Sequence, residues 1–89
     1  MSQIFSSNAD LYSYLELLRQ TLADRGANEL AEVVAGALRF AAGMSTEFLG
    51  ESRIALRAVS QAENNPLDQL ERQRLAKAIS ELDYAFDRR

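Results

Sequence analysis

The chain has 89 residues, enough for one domain, and its 47% apolar and 26% charged composition is that of a folded globule. It contains no Cys and no His. That excludes disulfides and thiolate chemistry and removes the commonest general base and metal ligand. The net charge of −3 is the wrong sign for general attraction to nucleic acid.

The single domain is expected to span 1–89, with residues 1–6 either disordered or packed as an N-terminal arm. The start, with Ile4 and Phe5 its only large apolar residues after Met1, has neither the basic region nor the apolar core of a secretory signal. No apolar run approaches the roughly 20 residues that a membrane span needs. The expected setting is the cytoplasm.

A first helix is predicted over 8–25. Ser7 followed three residues later by Asp10 reads as a capping box. Leu11, Leu15, Leu18 and Leu22 then recur at spacings of four, three and four, one stripe of a helix. Tyr14 and Leu17 are expected to widen it, and Gly26 to close it.

A second helix is predicted over 29–42 with Asn28 as its cap. Leu30, Val33, Val34, Ala37, Leu38 and Ala41 form a stripe so wide that the helix should be buried from more than one side. Ala35, Gly36 and Ala37 would let a neighbouring backbone approach. Arg39 is the only charge between Val33 and Thr46 and needs either Glu47 or Glu51 as a partner or an exit to water.

A third helix is predicted over 46–63, with Ser45 as cap and Met44 stapled to Leu49. Phe48, Leu49, Ala55, Leu56, Val59 and Ala62 should face the core. Ile54 points away from Leu56 and is expected outside. Gly50 costs about 1 kcal/mol relative to Ala in a helix, which suggests close approach of another element.

A fourth helix is predicted over 66–87, with Asn65 as cap and Pro66 at the first position. Leu75, Ile79, Leu82 and Phe86 make its stripe, with Leu67 and Leu70 extending it. Asp68 and Arg72 stand at the spacing of a helical ion pair. The fold class is therefore all-α, a compact bundle of about four helices with short connections.

The chemistry available to such a chain is narrow. Glu29 with Glu32, and Glu47 with Glu51, are carboxylate pairs on helix faces, but helical metal sites of this type also use His. Lys77 is the only Lys, and no serine stands at a spacing that suggests a dyad with it. No Gly-rich phosphate loop is present. No enzyme, metal or cofactor is expected.

What remains is surplus apolar surface. Four helices of this length hide one stripe each, and Phe40, Ile54, Tyr12, Met44 and the N-terminal pair Ile4 and Phe5 are extra. Of these Phe40, Met44 and Ile54, with Arg53 and Arg57, are the expected partner-binding residues. The functional expectation is a small non-enzymatic protein-interaction module, an adaptor, regulatory subunit or inhibitor of the immunity type, acting on a protein partner or as a homodimer. The alternative is a helix-turn-helix-like DNA-binding regulator reading bases with helix 3 through Arg53 and Arg57. Against it stand Glu47 and Glu51 at the start of that helix and the acidic net charge.

Overall fold

The computed structural model describes residues 5–87. Four helices follow in order: α1 (Asn8–Asp24), α2 (Asn28–Leu38), α3 (Ser45–Gln61) and α4 (Gln69–Asp87). Consecutive helices pack on one another. The radius of gyration, 12.2 Å, matches the roughly 12 Å of a compact chain of this length. The shortest extent is 19 Å, about two helices thick, so each helix keeps an outer face.

The leucine stripe of α1 is the backbone of the core. Leu11, Leu15, Leu18 and Leu22 are all buried, and they meet Ala31, Val34 and Ala37 of α2, Phe48, Ala55, Leu56 and Val59 of α3, and Leu75, Ala78 and Leu82 of α4. Each fully buried leucine contributes about 1.5–3 kcal/mol. Leu17, one residue off the stripe, is instead 62% exposed and does not widen it. Leu70 is likewise exposed, because it stands five residues before Leu75 and so on another side of α4.

The ends of α1 follow the sequence. Ser7 Oγ accepts from the Asp10 N–H at 3.2 Å, while the Asp10 carboxylate accepts from both the N–H and the hydroxyl of Ser6. At the other end Gly26 has φ 85°, where side chains are strained. The Gly26 and Ala27 N–H groups donate back to Ala23 and Leu22, the paired closure of a Schellman motif. Phe5 packs on the core as a short arm. Its ring meets Tyr14 edge-on at 5.6 Å, and its N–H donates to Glu81. The expectation for residues 1–4 lies outside the described residues.

The later boundaries depart from the periodic pattern. Helix α2 begins one residue early, with Ala27 rather than Asn28 before it and no side-chain cap. It ends at Leu38. Residues 39–43 continue as a tighter turn in which Phe40, Ala41 and Gly43 each donate to the carbonyl three residues back. Ser45 is the first residue of α3, not its cap, and its hydroxyl accepts from the Asn8 side chain. Met44 is 67% exposed, with no packed staple to show for its position.

The largest departure is the start of α4. Asn65 is buried and ties the connection together instead of capping the helix. Its amide donates to the Val59 carbonyl at 2.8 Å and its oxygen accepts from the Leu67 N–H. Pro66 therefore lies in the connection. The cap is Asp68, which accepts from the Glu71 N–H while Glu71 accepts from the Asp68 N–H. Arg72 does not pair with Asp68; it donates to the carbonyls of Leu67 and Asn65. A local side-chain network has displaced the helix start by three residues relative to the proline signal.

Candidate interaction surface

The structure splits the five predicted partner residues into two groups. Arg53 and Arg57 are one turn apart on α3 and converge on one carboxylate of α4. Arg57 grips both oxygens of Asp83, at 2.8 and 2.7 Å, and Arg53 reaches one of them at 3.4 Å. The Arg53 guanidinium also lies over the Phe86 ring, 4.4 Å from its centroid. Arg57 and, more weakly, Arg53 hold the Asp83 carboxyl below its ordinary value. The two arginines thus clamp α3 to α4.

Phe40, Met44 and Ile54 do not join them in one patch. Phe40, in the turn after α2, is partly buried against the core. Met44 and Ile54 are 67% and 61% exposed. Ten positions of chain separate them, about 15 Å of helical rise, so together they mark the length of α3 and not a single spot. Ile54 points outward as its phase predicted.

Leu17, Val33 and Leu70, which the periodic pattern assigned to the core-facing stripes, are exposed. All three lie about a quarter-turn or more away from their helix's buried stripe, so their positions on the helical wheel were the available signal. A cleft of about 430 Å³ also opens where α1, α3 and α4 meet, floored by Leu11, Leu49 and Leu82 and bordered by Phe5, Tyr84 and Glu81. It is built from three helices and the arm, a combination that no single periodic pattern reveals.

The outer side of α2 has open space at Gly36. Gly36 was expected to admit a neighbouring backbone. Instead a Cβ placed there would meet nothing within 4 Å. Around it stand Glu29, Glu32 and Arg39, all exposed, with Val33 39% exposed. Arg39 forms no ion pair with Glu47 or Glu51. Of its two expected fates, the exit to water is the one observed.

The chemistry is otherwise sparse. Among the described residues no group of three acidic side chains could hold a metal ion, and no helix is long and apolar enough to cross a membrane. One buried hydroxyl, Ser52 Oγ, has no hydrogen-bond partner. It sits inside the core on α3 and lines none of the clefts described. Comparison with known proteins brings out no matching family model, no matching curated protein and no matching solved structure.

Proposed function

We propose that the chain is a non-enzymatic, cytoplasmic protein-interaction module that binds a protein partner through exposed apolar surface along α3, with Met44 and Ile54 as its apolar contacts. The observation that carries this reading is the exposure of both side chains beside a core that is already closed by every helix. Burying two such residues in a partner is worth several kcal/mol of the binding energy a small module needs. A cysteine-free composition suits a cytoplasmic setting. An adaptor, a regulatory subunit and an inhibitor of the immunity type all work by such a surface.

The DNA-reading alternative draws no support from a specific contact. Arg53 and Arg57, on which it depends, already neutralise Asp83, and exposed Glu47 begins α3 at the end that would meet phosphates.

The test is affinity capture from the protein's own cells with the natural chain and with a Met44→Ser/Ile54→Asp variant. Both substitutions fall on exposed positions, so the helical circular dichroism signal and melting temperature should stay as they are. A protein retained by the natural chain and lost with the variant is the expected result. Identical capture by both would refute this surface.

A further inference from the structure

We infer that the cleft between α1 and the start of α4 receives the C-terminal residue of a partner protein, an aliphatic side chain filling the cleft and its α-carboxylate meeting Arg74 and the Tyr14 hydroxyl. This deepens the interaction reading, on which the choice of a protein as ligand rests, but it uses helices other than α3.

The cleft holds about 100 Å³, space for one branched aliphatic side chain and too little for a cofactor. Its lining is mainly aliphatic. Leu18 and Leu67 are buried beside it, and Leu17, also part of the lining, is 62% exposed. Leu70, exposed as well, stands one turn before Arg74 and so on its side of α4. The exposed leucines of α1 and α4 are thus accounted for by one location, and an aliphatic ligand would cover them.

The charges at the cleft select an anion. Glu71 lines it, but Arg25 holds both of its oxygens. Arg74 lines it too and has no ion-pair partner among the described residues. The half-buried Tyr14 hydroxyl makes no hydrogen bond among them either. Arg74 draws the Tyr14 phenol down against the burial that raises it, so the two groups stand within electrostatic reach of one another. A guanidinium and a neutral phenol both donate, and a carboxylate accepts from both. With one residue filling the cleft, the carboxylate nearest both donors is the one on that residue's own Cα. An aliphatic residue carries a carboxylate there only at the end of a chain.

A single residue is a small ligand, so this contact is weak, with a Kd of roughly millimolar. It strengthens the hold on a partner that is also bound elsewhere.

Amide-shift titration of the nitrogen-15-labelled chain tests it, with the acetylated tripeptide Gly-Gly-Leu as probe and circular dichroism as the check on folding. Saturable shifts centred on residues 14–21 and 67–74 are expected. The C-terminal amide of the same peptide should bind about threefold or more weakly, and so should acetylated Gly-Gly-Gly. Arg74→Gln should weaken binding of the acid by about the same factor and leave the amide unaffected. Arg39→Gln removes the same charge at an exposed position outside the cleft and should change neither.

A chain whose shifts stay still up to the solubility limit of the peptide overturns the inference. So does equal binding of acid and amide, and so does an equal loss with Arg39→Gln, which would make the effect one of net charge. The Met44→Ser/Ile54→Asp variant should bind the peptide as the natural chain does. Loss of the α3 contact and failure of the cleft are therefore separate results, and either reading can fail without the other.

Discussion

The ring of Phe86, near the end of α4, lies against the backbone of Gly50 on α3. A Cβ at Gly50 would stand 3.2 Å from the ring's Cζ. That is tighter than ordinary van der Waals contact, so Gly50 leaves room for the ring whose face Arg53 covers. In an open helix, Gly→Ala gains about 1 kcal/mol. Here that gain is set against displacement of Phe86. Gly50→Ala should therefore stabilise a Phe86→Ala background more than it stabilises the natural chain. Urea unfolding of the four proteins in the cycle measures the difference. Equal effects in both backgrounds would show that the ring does not constrain Gly50.

Ser52, two residues further along α3, gives a simpler prediction. Its hydroxyl is fully buried on α3 and unpaired. Ser52→Ala removes the cost of desolvating that hydroxyl and adds helix propensity. The substitution should raise stability by about 1 kcal/mol, a gain of roughly 4–8 °C in melting temperature for a domain of this size. A drop in stability would show that the hydroxyl finds a partner in solution.

Three carboxylates set the response to acid. Asp10 is held below its ordinary value by hydrogen bonds from Ser6, Glu71 by Arg25 and then by the Asp68 N–H, and Asp83 by Arg57. A depressed pKa means that the folded state favours the ionised form. The resulting stability is present above the unfolded values, 4.5 for Glu and 3.8 for Asp, and is lost as pH falls through the lower folded ones. Urea midpoints should therefore decline as pH falls below about 4.5, and Glu71→Gln should flatten part of that decline. An unchanged acid limb in that variant would mean that the Arg25–Glu71 pair does not persist in solution.

At the alkaline end the group to watch is Tyr14. Burial beneath Phe5 and beside α4 pushes its phenol from 10.0 up to about 12. The folded chain keeps the neutral phenol while the unfolded chain ionises, so stability should fall as pH rises from 10 toward 12. In ultraviolet titration, phenolate absorbance from Tyr14 should appear late, and Tyr14→Phe should remove that late component. Its persistence in the variant would assign it to another tyrosine.

The core of this fold was legible because it rests on one repeating signal. Leu11, Leu15, Leu18 and Leu22 are buried as their spacing requires, Gly26 closes α1, and Ile54 faces outward. The start of α4 was not, because three side chains with competing roles decide it. Asn65 before Pro66 resembles a helix start, yet Asn65 reaches back to Val59 and the reciprocal Asp68–Glu71 pair caps the helix further on. Arg53 and Arg57 carried a similar ambiguity. Their spacing showed that they share a face, but only the packing of α4 beside α3 brings Asp83 under both. Gly36 shows the limit from the other side. A small residue signals room for a neighbouring backbone, yet a Cβ placed there would meet nothing within 4 Å, because composition does not say which face of the helix is packed.

Packing between consecutive helices governs how the chain reaches this state. Most of the apolar contact is made between segments joined by only a few residues, so little loop entropy is lost before burial begins to repay it. Chains of such local topology fold in microseconds to milliseconds. Leu17, Leu70, Met44 and Ile54 remain outside in the finished bundle, where they are spread over α1, α4 and α3. The leucine stripe of α1, which would be the adhesive surface of an unfolded copy, is exposed only for that brief interval. A protein that carries its apolar contacts on the outside thereby limits the time in which it can stick to the wrong neighbour.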